Sequence, residues 1–335
     1  MVLRRRPIAI KTMPVTSGFL AQNLAKRGIS QCSRPFREFG TAPALVDSLR
    51  ICKRVLIMNA TPNAAPARAS LGVVIRFKNG AATLPVVLAA LRRQTVQPAL
   101  ILGVDNLSTD VSGELLRAAG GIVINWTQAY HHPRVLNFAL RHCPTDLVMV
   151  LSSHTVLESP ETMEQLMAAM ADPRTACASA KWDDDPFYSD AIDWRELQTK
   201  GLKFCSIHSN SMGILRRSLW EQVPFDESLP TMEDGAWALE QIKRGYLCRR
   251  LKFPFTYKRG GSTRDYVFAV LTFQLAARHG LAVTWLGVLT TLRKLARAAS
   301  EGLAGHTTLG AEEINTLRQR LIAWATWRFV RPARE

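Results

Sequence analysis

Between residues 71 and 152, short apolar runs alternate with segments whose apolar positions recur at helical spacing. The short runs are rich in β-branched residues and end at turn-forming residues, which is typical of buried strands. The predicted strands are 71–77, 99–105, 121–125 and 146–152, and the predicted helices are 84–95, 112–120 and 134–143. Strands that alternate with helices of this length form βαβ units. The pattern therefore predicts an α/β domain with a mostly parallel sheet flanked by helices on both faces.

After residue 160 the pattern becomes less regular. Ser159 is followed by proline and glutamate, which predicts a helix over 159–172 with Ser159 as its N-cap. A further helix is predicted over 232–246, where Gly245 supplies the C-cap. Beyond it, apolar spacing predicts two or three C-terminal helices. We therefore predict an N-terminal arm and linker (1–70), an α/β domain (71–258) and a helical extension (259–335).

The net charge of +16 is unevenly distributed. Residues 1–57 carry 11 of the 43 Lys and Arg residues but only two of the 27 acidic residues, a net charge of +9. The rest of the chain therefore carries +7 and does not have the charge typical of a nucleic-acid-binding body. We interpret the basic arm as a disordered segment or an over-extended start ahead of Met58, rather than as a transit peptide.

The cysteines and the apolar runs indicate the cellular location of the protein. The six cysteines are far apart and none forms a Cys-x-x-Cys pair, which argues against a zinc module and suits a reducing compartment. No apolar run reaches 18 residues. A cytoplasmic location is predicted. The basic, Trp-containing C-terminal helices are expected to pack on the domain, and peripheral contact with the cytoplasmic face of the inner membrane is a secondary hypothesis.

A polar triplet ends the predicted strand 146–152. The apolar run from Val148 to Leu151 is followed at once by Ser152, Ser153 and His154. Ligands of open α/β sheets bind just beyond the carboxyl ends of the strands. The triplet is therefore a candidate site as well as a turn.

Five sequence blocks, in order, carry a resemblance to a known family. They are "VVIRFKNG", "VDNLSTD", "RVLNFAL", the "SSH" triplet and "LRRSLWEQVPFDESLPTMED". Over about 185 residues they resemble the GT-A catalytic domain of inverting, family 2-type glycosyltransferases, and the last block is the most specific. The resemblance implies an enzyme, a hexosyl- or deoxyhexosyltransferase. It would move a sugar from a UDP- or dTDP-type donor to a glycan or lipid-linked glycan acceptor in polysaccharide biosynthesis.

The resemblance also implies donor-binding residues, each with a structural alternative. Asp105 is expected to accept the imide N–H of the base, although its "DNLSTD" segment also suits a plain turn. Asn106 and Leu107 depart from the Asp-Gly of the family. The other predicted nucleotide- or donor-binding residues are Phe77, Asn79, Arg134, Asn137, Ser152 and Arg217. Phe77 is equally expected in the core, and Arg134 in a solvated loop.

Ser152, Ser153 and His154 stand where the family has Asp-x-Asp, which normally holds a divalent cation that bridges the donor's diphosphate. Both expected carboxylates are missing, while imidazole can bind Mn²⁺. We therefore expect His154 to be a metal ligand or a direct diphosphate contact, and Ser152 to hydrogen-bond the nucleotide. Any dependence on Mn²⁺ or Mg²⁺ should be weaker than at a two-carboxylate site.

Asp234, with Glu233 beside it, is the predicted catalytic base. Inverting transfer needs a base that removes the proton of the attacking acceptor hydroxyl. Neighbouring helical residues point about 100° apart, so only one of the two can face the reacting centre, and the family pattern indicates Asp234. The alternatives are a catalytically inactive nucleotide-binding or scaffold protein, and a nucleotidyltransferase. The first has no need of the base, and the second would need more glycines than "RFKNGAAT" has.

Overall fold

The computed structural model describes residues 69–181, 187–203, 207–257, 265–282, 292–293, 296–297, 300 and 311–330. The predicted arm and linker, apart from residues 69 and 70, lie outside these residues, and the two predicted domain boundaries stay predictions. Ten strands are described: β1 Leu71–Phe77, β2 Leu100–Asp105, β3 Ile122–Asn125, β4 Leu147–Ser152, β5 Thr155–Leu157, β6 Thr175–Ala180, β7 Ala191–Ile192, β8 Met212–Arg216, β9 Leu247–Leu251 and β10 Phe255–Tyr257.

Nine helices are described in the same part of the chain. They are α1 Leu84–Arg92, α2 Ser112–Ala118, α3 His132–Arg141, α4 Thr162–Ala169, α5 Trp194–Lys200, α6 Arg217–Gln222, α7 Glu233–Lys243, α8 Asp265–Arg278 and α9 Ala311–Thr326. The predicted alternation over residues 71–152 is therefore confirmed, with element bounds that move by up to three residues.

The main sheet has eight strands in the order β3-β2-β1-β4-β8-β6-β9-β7, while β5 and β10 form a small antiparallel pair. The first four strands are parallel, as predicted. β8 runs antiparallel to β4, so that Met212 pairs with Leu151 and Arg216 pairs with Leu147. We call the edge where β1, β2 and β4 end the carboxyl edge, and the edge where they begin the amino edge. Residues just before β8 therefore lie at the carboxyl edge, and residues just after it at the amino edge.

The core lies on both faces of this sheet. Alternation along β1 sends Val74 to one face, where it packs with Leu136 of α3 and Trp237 of α7. Val73 and Ile75 point to the other face, where α1, α2 and α4 pack. We name these the α3 face and the α1 face. Burial on both faces explains why β4 is apolar throughout.

Of two predicted helix ends, the structure contradicts the one at Ser159 and confirms the one at Gly245. Ser159 is not an N-cap, because α4 begins only at Thr162 and the Ser159 hydroxyl instead contacts the side chain of Glu161 (2.5 Å). The predicted end at Gly245 is confirmed: its φ of +95° is in the region that favours glycine, and its N–H donates to the Ile242 carbonyl (3.0 Å).

The C-terminal helices pack on the protein, as expected. Leu271 and Leu275 of α8 enter the core of the α3 face. α9 contacts α8 through Tyr266 and Thr326, whose hydroxyls are 2.9 Å apart, and through the ring of Trp327. Among the described residues, no helix has the length and apolar character needed to cross a membrane.

Candidate active site

The register of the sheet places Arg76 beside Ser152 at the carboxyl edge. The two residues pair across β1 and β4, and Arg76 also pairs with Val104 of β2. Val74 and Val150, two residues earlier on each strand, lie in the core of the α3 face. Because strand side chains alternate, Arg76 and Ser152 point to that same face at the position where the core opens.

The β4–β8 pairing brings the predicted base to the same place. The N–H of Ser152 donates to the Ser211 carbonyl (3.0 Å), which continues the ladder beyond Met212. The next residue, Asn210, donates its backbone N–H to Oδ2 of Asp234 (2.9 Å). Oδ1 of Asp234 accepts the N–H of Gly235 (2.7 Å). A short chain of hydrogen bonds therefore joins the first turn of α7 to the end of β4.

The two neighbouring carboxylates differ in exposure. Glu233 is 4% exposed and accepts a long hydrogen bond from the side-chain amide of Asn210 (3.4 Å), whereas Asp234 is partly exposed. Burial raises the pKa of Glu233 to about 7, and the charge of Asp234 adds to this effect. Burial also raises the pKa of Asp234, against the opposing effect of its two backbone donors and of Arg76. Asp234 is thus the accessible member of the pair.

Backbone strain is concentrated around this edge. Among the described residues, three non-glycine residues have a left-handed φ: Asn79 (+50°), Leu107 (+54°) and Met232 (+64°). Each costs on the order of 1–2 kcal/mol, and such strain is typical of functional sites. Met232 immediately precedes Glu233 and is supported from α8 by Thr272, whose hydroxyl is 3.9 Å from its sulfur. Leu107 occupies the position where the resembled family has glycine, and its side chain is 53% exposed.

Sequence reasoning missed Arg76, whose guanidinium reaches into the site. Its Nη1 donates to Nδ1 of His132 (2.8 Å) and to the hydroxyl of Tyr130 (3.1 Å). Burial alone would lower the pKa of Arg76, but Tyr130 and the carboxylates of Glu233 and Asp234 raise it above its ordinary value. The available signal was a single charge inside the apolar run "LGVVIRF".

His154 lies in the turn between β4 and β5, with its ring 4.9 Å from that of Tyr257. Burial lowers the pKa of His154, and the positive charge of Arg76 lowers it further. Among the described residues, no group of three or more His, Cys, Asp and Glu side chains could hold a metal ion. These residues therefore do not fit the cation of an Asp-x-Asp site. The metal-ligand prediction for His154 lacks a supporting ligand set, while its alternative, a direct diphosphate contact, stays a prediction.

Asp105 and Asn79 both lie at the carboxyl edge and link two turns. Oδ1 of Asp105 accepts the N–H of Ser108 (2.8 Å), and Oδ1 of Asn79 accepts that of Thr109 (2.8 Å). The N–H of Asn79 in turn donates to the hydroxyl of Ser108 (2.9 Å). Each residue thus has a turn-forming role, and their donor-binding roles stay predictions.

Two of the predicted donor-binding side chains lie in the interior. Phe77 is 4% exposed and points to the α1 face, where its ring approaches Gly103 and packs in the core. Asn137 is 1% exposed. Its Nδ2 donates to the Phe225 carbonyl (2.9 Å) and to Glu227 (2.8 Å), and its Oδ1 accepts from Trp220 and from the Phe225 N–H (both 3.0 Å). The fold thus uses both side chains internally, and their donor-binding roles stay predictions.

Arg217 lies far from the predicted donor-binding residues at the carboxyl edge, and its donor-binding role stays a prediction. Arg217 follows β8 and therefore lies at the amino edge, where its N–H donates to the Asp146 carbonyl (3.0 Å). Its guanidinium pairs with Glu221, one turn later in α6 (2.8 Å). The five paired residues of β4 and β8 separate it from Ser152, about 20 Å along the strand. Arg134, in the first turn of α3, pairs loosely with Glu227 (3.8 Å), and its donor-binding role stays a prediction.

Comparison with known proteins agrees with this architecture. Residues 72–222 match the profile of the family described as Glycosyl transferase family 2. A search of curated proteins found no match. Among solved structures, the mannosyltransferase PcManGT from Pyrobaculum calidifontis, in complex with GDP-Man and Mn²⁺, is similar at a TM-score of 0.58 and 17% identity. The similarity covers 84% of this chain and 94% of that one.

Glucosyl-3-phosphoglycerate synthase from Mycobacterium tuberculosis, in complex with Mn²⁺, UDP and glucosyl-3-phosphoglycerate, is similar at a TM-score of 0.50 and 14% identity, covering 65% of this chain and 86% of that one. At these identities the solved structures show a common fold, while the family match covers β1 to α6. The sheet and the solved structures show the GT-A fold, and the match of residues 72–222 to the family 2 model supports a glycosyltransferase.

Proposed function

We propose that this protein transfers a hexosyl or deoxyhexosyl group from a nucleoside-diphosphate sugar of the UDP or dTDP type to a hydroxyl of a glycan or lipid-linked glycan, with inversion, in polysaccharide biosynthesis. The observation that carries the proposal is the carboxylate of Asp234. It is held by two backbone N–H groups at the carboxyl edge of the sheet, beside Arg76 and Ser152. Solved structures of similar fold contain GDP-Man or UDP, which supports the donor class.

In the proposed reaction, Asp234 is the catalytic base. The acceptor hydroxyl attacks the anomeric carbon from the face opposite the diphosphate, and its proton passes to the Asp234 carboxylate. The bond from the anomeric carbon to the diphosphate oxygen breaks, and its electron pair leaves with that oxygen. A raised pKa makes Asp234 a stronger base than an ordinary aspartate. The donors on Asn210 and Gly235 fix the direction of the carboxylate.

Glu233 acts on Asp234 without contacting the acceptor. At 4% exposure Glu233 cannot reach a substrate. It accepts a hydrogen bond from the side-chain amide of Asn210, and the backbone N–H of the same residue holds Asp234. In this proposal Asp105, at the end of β2, accepts a hydrogen bond from the base, Ser152 hydrogen-bonds the nucleotide, and His154 contacts the diphosphate. A cytoplasmic protein with peripheral contact to the inner membrane through its C-terminal helices is the location that suits a lipid-linked acceptor.

The test is a panel of UDP-, dTDP- and GDP-sugars incubated with the full chain and candidate glycan acceptors. Release of nucleoside diphosphate identifies the donor, and NMR of the product gives its anomeric configuration. Opposite configurations of donor and product support the proposal, whereas retention contradicts the inverting mechanism. Absence of both turnover and nucleotide binding would favour a catalytically inactive scaffold.

A further inference from the structure

Arg76 has more hydrogen-bonding capacity at the site than its neighbours use. A guanidinium carries five N–H donors in a planar fork that matches phosphate and carboxylate oxygens. Both hydrogen bonds to Tyr130 and His132 come from Nη1. Nε is buried and has no hydrogen-bond partner within the described ranges. A donor that is removed from water without a partner is costly, which indicates that another group completes this site.

The neighbours of Arg76 hold it in place and define its charge environment. Because a guanidinium can only donate, Nδ1 of His132 accepts, and the proton of that neutral ring is on Nε2. The carboxylates of Glu233 and Asp234 favour the cationic form of Arg76, and the hydroxyl of Tyr130 accepts a hydrogen bond from it. Burial lowers the pKa of His154, and the positive charge of Arg76 lowers it further because it disfavours a second cation nearby. Arg76 is thus a fixed positive charge between the carboxylates and the end of β4.

This positive charge lies at the end of β4, where the resembled family has its Asp-x-Asp residues. In an Asp-x-Asp site, two carboxylates at the end of β4 hold a metal against the diphosphate. Here the end of β4 has Ser152, and the residue paired with it on β1 is Arg76. A metal ion at His154 would be repelled by Arg76, and the described residues include no cluster of ligands to offset that repulsion. Arginine, by contrast, binds phosphate oxygens with charge-assisted hydrogen bonds.

We propose that Arg76 binds the diphosphate of the donor and stabilises the charge of the leaving group, so that transfer needs no divalent cation. This inference rests on the proposed function. As the bond to the anomeric carbon breaks, its electron pair moves to the diphosphate oxygen, and the guanidinium donates hydrogen bonds to that diphosphate without losing a proton. The proton of the acceptor still goes to Asp234, so the atoms and charges balance.

The test compares nucleoside diphosphates with the corresponding nucleosides, which lack the group that Arg76 would bind. Calorimetry measures the Kd of UDP, dTDP and GDP for the full chain in EDTA and in millimolar Mn²⁺, and saturation-transfer NMR follows the nucleosides. We expect one diphosphate to bind equally well in EDTA and in Mn²⁺. Arg76→Met should weaken its binding at least tenfold, with nucleoside binding unchanged and no recovery in Mn²⁺.

A matched control and a second variant keep the outcomes distinct. Arg174→Met removes an arginine of the amino edge and should leave the Kd unchanged. If Arg76→Met does not fold, Arg76→Lys replaces it. Lysine keeps the charge but loses the planar fork, so diphosphate binding should weaken while nucleoside binding does not.

Two results would overturn the inference while leaving the proposed function in place. The first is loss of diphosphate binding by the wild-type protein in EDTA, and the second is an Arg76 variant that binds the diphosphate like the wild type. A wild-type protein that binds no nucleotide under any condition would instead refute the proposed function, and the inference with it.

Discussion

The pKa values of carboxyl groups shift in opposite directions at the two edges of the central sheet. At the amino edge, Asp172 pairs with Arg174 (3.1 Å) and Arg249 (3.5 Å), and hydrogen bonds from Arg174 lower its pKa. At the carboxyl edge, burial raises the pKa values of Glu233 and Asp234. The amino edge thus stabilises its ionised groups, whereas the carboxyl edge holds carboxylates that bind protons more readily than usual.

Polar satisfaction differs between the two edges in degree, since one buried atom at the amino edge, Nε of Arg217, also has no hydrogen-bond partner among the described residues. Arg216, at the amino edge, donates to three backbone carbonyls, those of Met170, Asp172 and Thr175. At the carboxyl edge, buried atoms of Arg76, His208 and Asn210 have no hydrogen-bond partner among the described residues. Groups that the fold leaves unsatisfied in this way are candidates for contact with a substrate. The amino edge therefore stabilises the fold, whereas the carboxyl edge holds the groups that we propose for catalysis.

The largest expected effect is on catalysis at Asp234. Asp234→Asn should lower kcat by about 10²–10⁴-fold, because the amide cannot accept the acceptor's proton. Since protonation inactivates the base and its pKa is raised, wild-type kcat/KM should fall on acidification at a higher pH than for an ordinary aspartate. Steady-state kinetics across pH measure both effects, and calorimetry should show unchanged nucleotide binding. A variant that keeps a tenth of wild-type kcat would exclude Asp234 as the base.

The next effect is on stability, at a residue that sequence reasoning assigned to binding. Asn137→Ala removes the hydrogen-bond partner of the Phe225 carbonyl, of the Phe225 N–H and of the Trp220 indole N–H. These buried polar groups then remain unsatisfied. The free energy of unfolding should fall by about 2–4 kcal/mol. Urea denaturation measures this loss, and the Kd of the nucleotide for the folded fraction should not change. A selective loss of nucleotide binding at full stability would support the binding role.

A smaller, pH-dependent effect is expected at His208, which precedes β8. Its ring is 3% exposed, and burial lowers its pKa to about 3. Between that value and about 6.5, the unfolded chain binds the proton more readily, so this residue lowers stability by up to about 1.4 kcal/mol for each pH unit of acidification. Above that window it contributes no pH dependence.

His208→Leu should therefore flatten the decline in stability below neutral pH, and it should leave the pH dependence between pH 7 and 8 unchanged. Denaturation at several pH values measures the free energy of unfolding of the wild type and of the variant. The difference between the two at each pH cancels the contribution of the other titrating groups. Parallel declines in the two proteins would contradict the assignment.

The smallest effect is expected at the amino edge. Arg217→Gln removes a pair with Glu221 inside a short helix, a change of about 0.5 kcal/mol in stability. Because Arg217 lies at the opposite edge from Asp234, kcat and KM should stay within twofold of wild type. A large loss of activity in this variant would mean that the contrast between the edges does not hold.

The amino-acid pattern was sufficient for the elements and for proposing Asp234 as the catalytic base. Strands β1 to β4 and the helices between them follow from local periodicity, since each buries a face whose spacing is visible in the sequence. Asp234 stood out because acidic residues open a predicted helix within a specific motif. Arg76 did not, because a single arginine in a strand carries no sign of which edge it occupies or what it faces.

The surroundings of Arg217 and Asn137 could not be predicted from the sequence for a different reason. Both lie in blocks that resemble the family, yet the direction of β8 and the packing of α3 decide where their side chains point. A one-dimensional pattern does not record whether β8 runs with or against β4. Reversing that strand would exchange the positions of Asn210 and Arg217 between the two edges.

By itself, the sequence determined the alternating α/β order, the buried strands and the presence of chemically capable groups, because these depend on residues that are close along the chain. The tertiary structure decided which of those groups share a site. Arg76, Ser152, Asn210 and Asp234 come together only through pairing of β1 with β4, pairing of β4 with β8, and docking of α7. Such long-range contacts are set by the collective burial of both sheet faces, which no local segment specifies.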